Sequence, residues 1–149
     1  PQAPTLIITS PRFGDSLLFS RKDSAKPLIR AIRQDKLGFF NLPDMDFGRK
    51  DAEFVPFFGV PAATISGLPR LARLANAAVL PCVARMQPGG GGCVLEIGAP
   101  WTDFPGDDVE ADVRRMNTWL EGVIRTMPAQ YYWVHRRFKT RPPGEAKIY

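Results

Sequence analysis

Asp44, Asp46 and Arg49 fall within Leu-Pro-Asp-Met-Asp-Phe-Gly-Arg, residues 42–49, directly after an apolar run. Two carboxylates and a guanidinium at this spacing can bind an anionic or hydroxyl-bearing ligand. Arg49 can grip a phosphate or carboxylate with two parallel hydrogen bonds, while Asp44 or Asp46 orients it. The same residues can equally pin a turn through an Asp–Arg pair. Their place after an expected strand gives the ligand reading its weight, because open α/β sheets bind ligands beyond the carboxyl ends of their strands.

A second group lies in Gln-Tyr-Tyr-Trp-Val-His-Arg-Arg-Phe-Lys-Thr-Arg-Pro-Pro-Gly-Glu, residues 130–145. His135 is the single histidine of the chain, and no acid follows within five residues, so neither a Ser-His-Asp triad nor a zinc site is supported. A structural His among aromatic rings is expected. Trp133, Arg136, Arg137, Lys139 and Arg141, with Tyr131, Tyr132 and Phe138, interleave charge and rings. That pattern suits bases stacking on rings in nucleic acid. It equally suits a membrane interface, where Tyr and Trp sit at headgroup depth and basic groups meet phosphate. No metal site and no cofactor is expected.

Composition sets the frame. A chain of 149 residues with 44% apolar content can bury one core, so one domain is expected. A net charge of +5 favours an anionic partner. Cys82 and Cys93 lack CxxC spacing and read as two buried thiols. No apolar run reaches the roughly 18–20 residues that span a bilayer, so the chain reads as soluble or peripheral. There is no signal peptide, and the start at Pro1 suggests a fragment or a processed product.

The elements that must position these residues follow from pattern. A buried strand is expected over Thr5–Thr9 and a turn-rich loop over 10–16. A helix follows over 23–36, with Pro27 in its first turn, and a second buried strand over 39–42. Strand, helix and strand with short links make the start of a parallel α/β sheet. Phe54, Phe57 and Phe58 fall on a loop bounded by Pro56 and Gly59, which covers a core edge or faces lipid. Ser66 can cap a short helix over 67–77. Residues 77–86 and 93–98 read as an antiparallel hairpin around the turn at 87–92. That turn, Pro-Gly-Gly-Gly-Gly, lacks the Lys-Ser/Thr of a phosphate-binding loop. Val109, Val113, Met116, Leu120, Val123 and Met127 give an amphipathic stripe over 109–127, with Asp107 and Asp108 at its N-terminus and Pro128 as its stop.

Three segments in order, 42–64, 70–85 and 128–145, closely resemble the C-terminal part of the bacterial lipid A biosynthesis lauroyl/myristoyl (late) acyltransferase family. The fit extends to residues 11–40. The resemblance implies an α/β fold: a partial glycerol-phosphate-acyltransferase-like sheet flanked by helices, with a C-terminal β-hairpin and amphipathic helix. Residues 1–149 would be the C-terminal portion of a single α/β acyltransferase domain. It implies transfer of a fatty acyl group from acyl carrier protein to a lipid A precursor, at the cytoplasmic face of the cell inner membrane, with no nucleic-acid partner. The family's catalytic dyad, His-x-x-x-x-acid, is not found here, because Thr140 stands five residues after His135. The piece alone is therefore expected to be inactive, with no catalytic residue of its own. By the same resemblance Arg49 would meet a phosphate or sugar polar group, Asp44 or Asp46 would orient Arg49 or a substrate hydroxyl, and the Phe cluster would border an acyl-chain groove. The competing reading is a basic module that binds anionic lipid or nucleic acid without catalysis.

Overall fold

The computed structural model describes residues 25–149. In chain order the elements are α1 (Ala25–Arg33), β1 (Ala52–Phe57), β2 (Val60–Ile65), α2 (Gly67–Ala75), β3 (Cys82–Met86), β4 (Cys93–Ile97) and α3 (Val109–Thr126). Short 3-10 turns at Pro128–Gln130 and Trp133–His135 follow. The described residues form two separate two-stranded antiparallel sheets, β1–β2 and β3–β4.

The β1–β2 hairpin is the centre of the core. Phe57 pairs with Val60 across Phe58 and Gly59, whose φ angles are 50° and 79°. Positive φ at both turn residues is the mirror-image turn whose twist matches that of the strands. Phe58 bears the steric cost of that conformation, and Glu121 Oε1 on α3 accepts its N–H at 2.8 Å. Pro56 faces Pro61 in the ladder. That is the non-hydrogen-bonded kind of pair, so neither proline removes a ladder bond. α3 packs on β1, and Phe57, Ala62 and Ile124 form a cluster bordered by Phe58, Leu120, Tyr131 and Phe138.

α3 follows its expected bounds closely. Asp108 caps it by accepting the Glu110 N–H at 2.9 Å, and Glu110 and Asp112 lie in the positive first turn. Its buried side is Asp112, Val113, Met116, Asn117 and Ile124. Leu120 and Val123 of the expected stripe are only half-buried. Two polar residues turn inward because polar partners meet them: Asn117 Nδ2 donates to Pro56 O at 3.0 Å and Thr64 Oγ1 at 3.2 Å, and Asp112 Oδ1 accepts the Gly106 N–H at 2.9 Å.

Several expectations change. The strand expected over 39–42 is irregular and pairs with no described strand, with Phe40 and Leu42 exposed, so no parallel sheet forms among the described residues. The strand expected over Thr5–Thr9 lies outside them. The Phe-rich stretch is strand β1, where Val55 and Phe57 face the core, instead of a loop. Ser66 precedes α2 without capping it; its hydroxyl donates to Asp51 O at 3.0 Å. Cys82 and Cys93 are exposed free thiols instead of buried ones. They share the outer face of the β3–β4 ribbon with Ala84, Met86, Leu95 and Ile97, all exposed.

Candidate functional site

The irregular segment 36–44 runs beside α1, α2 and the stretch before β3, and between them lies a groove of about 790 Å³. Ile32, Leu37, Phe39, Phe40 and Leu42 form one wall. Leu68, Leu71, Ala75, Val79 and Leu80 form the other, and Met116, Trp119 and Leu120 of α3 close the floor with Trp101 and Tyr131. Polar groups are few: Arg33, Lys36, Asn41, Asn76, Asp44 and the Tyr131 hydroxyl. An apolar cleft of roughly 300–1,000 Å³ with a few convergent polar groups is the usual form of a small-ligand site. The apolar runs 37–43 and 77–82 supply much of the wall. In the sequence they look like strands, because apolar content does not tell a ladder strand from a groove wall.

Asp44, Asp46 and Arg49 are separated by the fold. Asp44 reaches the groove. Asp46 is 2% exposed, and its oxygens accept the Gly48 N–H at 2.9 Å, the Thr140 N–H at 2.9 Å and the Thr140 hydroxyl at 2.8 Å. It therefore fastens the C-terminal segment and orients neither Arg49 nor a hydroxyl of a ligand. Arg49 is exposed, donates to Arg141 O at 3.1 Å, and makes no ion pair with either Asp.

The basic residues of 136–141 divide in two. Arg137 is 1% exposed; it donates to Ala63 O at 2.7 Å and to Thr64 Oγ1, with its guanidinium 5.2 Å from the Phe57 ring centre. Arg141 donates to Pro61 O and pairs with Glu145. Both carbonyls lie at non-hydrogen-bonded positions of β2, where they point away from β1. The two arginines thus satisfy the open edge of β2. A side chain so enclosed does not reach a lipid surface, which removes Arg137 from the expected membrane contacts. Arg136 and Lys139 remain exposed, as does Trp133 at 45%.

Tyr131 joins these parts. Burial, and after it the Asp44 carboxylate, pushes its hydroxyl well above the usual tyrosine range. Desolvation likewise lowers Arg137 from its ordinary value. His135 lies in the same cluster: its ring stands edge-on to Tyr131 at 5.4 Å and stacked over Tyr132 at 6.2 Å. Nδ1 meets Tyr132 O, and Nε2 lies 3.4 Å from the Tyr131 hydroxyl. The expected Phe border of the groove is displaced. Phe57 and Phe58 pack against Tyr131, Phe138 and Trp133, while Phe39 and Phe40 line the cleft. The sequence places Tyr131 among interfacial rings and misses its position in the groove, along with both groove walls; only the approach of 36–44 to α2 brings them together.

Among the described residues no group of His, Cys, Asp and Glu is arranged to hold a metal ion, and no helix is long and apolar enough to cross a membrane. Comparison with known proteins is specific. The family described as bacterial lipid A biosynthesis acyltransferase matches residues 6–140. The lipid A biosynthesis lauroyltransferase of Escherichia coli (strain K12) is 40% identical over 133 residues, which are 89% of this chain and 43% of the relative. The lipid A biosynthesis acyltransferase of Haemophilus influenzae is 36% identical over 138 residues, covering 93% and 42%. The lipid A biosynthesis myristoyltransferase of Escherichia coli (strain K12) is 35% identical over 138 residues, again 93% and 42%. The chain thus spans less than half the length of these relatives. It belongs to the bacterial lipid A biosynthesis acyltransferase family.

Proposed function

We propose that this chain serves an acyltransferase of lipid A biosynthesis, which moves a fatty acyl group from acyl carrier protein to a lipid A precursor at the cytoplasmic face of the inner membrane. The observation that carries this reading is the groove: about 790 Å³, walled by Leu, Phe, Val and Trp, and suited to an alkyl chain. Burying such a chain releases about 0.8 kcal/mol per methylene. Arg33 and Lys36 at its margin favour an anionic headgroup, and Asp44 with Tyr131 offers a polar pair inside it. Arg49, exposed and held by a single bond to Arg141 O, would take a phosphate of the acceptor.

The base that would accept the acceptor hydroxyl's proton is not among these residues. His135 has no acid at the family spacing, and its ring nitrogens face Tyr132 O and the Tyr131 hydroxyl. General-base catalysis is worth about 10²–10⁴ in rate, so the 149-residue chain by itself is expected to transfer no acyl group.

Two measurements test this. A fluorescent fatty acid should bind the chain, and Ala78→Trp, at an exposed position on the groove wall, should weaken binding at least tenfold with the fold unchanged. Equal binding by that variant rejects the groove as the alkyl site. Separately, the chain is incubated with labelled acyl-acyl carrier protein and a lipid A precursor. Turnover that His135→Ala abolishes overturns the reading of His135 as structural.

A further inference from the structure

We propose that residues 131–139 form a rigid ridge that seats on an anionic lipid surface, with Tyr132, Trp133 and Val134 entering the headgroup layer and Arg125, Arg136 and Lys139 meeting lipid phosphates. The surface adjoins the groove only through Tyr131 and does not depend on acyl transfer.

Exposure is the first argument. Tyr132 is 68% exposed, Trp133 45% and Val134 72%, three consecutive apolar or aromatic residues at the outer side of one 3-10 turn. Turns left to water normally carry small or polar residues. A contiguous apolar projection of this kind marks a contact surface.

Rigidity is the second. Trp133 Nε1 donates to Pro128 O at 2.9 Å, so the indole can leave water without an unmade hydrogen bond. Its ring stands edge-on to Tyr131 at 4.8 Å and rests on Phe58 at 6.0 Å. Tyr132 lies flat over His135, and Arg137 and the Asp46–Thr140 bonds hold the following residues. The side chains are therefore presented without further ordering cost.

Charge decides the occupant. Residues 122–139 contain no Asp or Glu. Arg136 and Lys139 are exposed beside the turn. Arg125, 67% exposed at its side chain and 3.7 Å from Glu121, stands 5.0 Å over the ring of Phe58, the same ring that meets Trp133. A single-stranded nucleic acid needs open ring faces along a groove. Here one face of Tyr132 is covered by His135, the ring of Trp133 is braced, and the outermost side chain is the aliphatic Val134. A convex apolar tip with a basic rim fits a membrane interface.

The test uses the 149-residue chain and vesicles of phosphatidylglycerol with phosphatidylcholine, against phosphatidylcholine alone and single-stranded RNA, at fixed salt. The parent should partition onto the anionic vesicles, and brominated acyl chains should quench a signal that Trp133→Phe removes. Each exposed base is worth about fivefold in partitioning, so Arg136→Gln with Lys139→Gln should lower anionic binding by roughly twentyfold or more. Val134→Glu, at a site open to solvent, should keep the thermal midpoint and lower binding by about fivefold or more. Unaltered vesicle binding by Val134→Glu overturns the proposal. So does a parent that binds RNA and no vesicle.

Discussion

Arg137 carries its charge into the interior, and its partners are backbone and hydroxyl oxygens of β2, with no carboxylate hydrogen-bonded to it. Arg137→Met keeps an unbranched apolar stem and removes both donors. Ala63 O then loses its donor in the interior, and Thr64 Oγ1 loses one of its two donors, keeping Asn117. Stranding buried acceptors costs about 1–3 kcal/mol each, so chemical denaturation should show a loss of about 3 kcal/mol. Arg49→Ala, at an exposed bond to one carbonyl, should cost less than about 1 kcal/mol in the same measurement. If Arg49 instead proved as costly as Arg137, its place would be structural and its proposed phosphate contact would fall. Tyr131 gives a pH dependence. Burial, then Asp44, raises its hydroxyl above the unfolded value of 10.0. The neutral form is favoured in the folded chain, so this stabilisation is fully present below pH 10 and is lost as pH rises beyond it. Unfolding between pH 9 and 11.5 should show a steeper alkaline loss for the parent than for Tyr131→Phe.

At the scale of elements, the two hairpins are supported in opposite ways. β1–β2 has its outer carbonyls satisfied by side chains: Arg137 and Arg141 on β2, Asn117 on β1. Asp46 ties Thr140, which lies between those arginines, beside β2. Asp46→Ala should therefore cost about 2–3 kcal/mol and release the whole segment. Amide exchange at Thr140 should accelerate, along with exchange in residues 137–141; a change confined to Thr140 alone would deny Asp46 its role as the fastener. β3–β4 is held differently. Gln130 bonds Met86 N at 2.9 Å and Met86 O at 3.2 Å, and Arg85 bonds Glu96 at 2.8 Å and Thr126 at 3.0 Å. Its outer face is open, and Cys82 pairs with Ile97 while Cys93 pairs with Met86. Four ladder steps separate the thiols, about 13 Å at roughly 3.3 Å per residue, too far for a disulfide. Both should react with a thiol reagent in the folded chain, at two equivalents and without denaturant. A single reactive thiol would mean that part of this face is covered.

Over the whole molecule, groove and ridge meet at one side chain. Tyr131 lines the groove and its ring touches Trp133 on the ridge. A surface that rests on lipid beside a cleft suited to alkyl chains places amphiphiles where the cleft can take them. The tryptophans separate the two events: Trp101 and Trp119 line the groove, and Trp133 stands on the ridge. A short-chain fatty acid below its micelle concentration should alter emission in a Trp133→Phe chain. Vesicles should alter emission in a Trp101→Phe/Trp119→Phe chain. Crossed responses, with vesicles acting only through Trp101 and Trp119, would show that lipid meets the groove and leaves the ridge in water.

What the residues alone determined was local. The 3.6-residue stripe and the Asp108 cap specify α3, and the Gly-rich turn between two largely apolar runs specifies β3–β4; both rest on near-neighbour geometry. The family resemblance was legible for the same reason, since it lives in linear motifs. The fate of charged and apolar side chains was decided by tertiary structure. Arg136 and Arg137 are adjacent in the chain, yet one is exposed and the other is enclosed. The difference comes from carbonyls of β2, more than 70 residues earlier, that need donors. Asp44 and Asp46 are likewise two residues apart, yet Asp46 is buried against Gly48 and Thr140 while Asp44 reaches the groove. Residues 37–43 are as apolar as a buried strand, but whether they pair or wall a groove depends on partners distant in sequence. Long-range contacts assign these roles, because desolvation and hydrogen-bond satisfaction are properties of the place a side chain occupies in the fold.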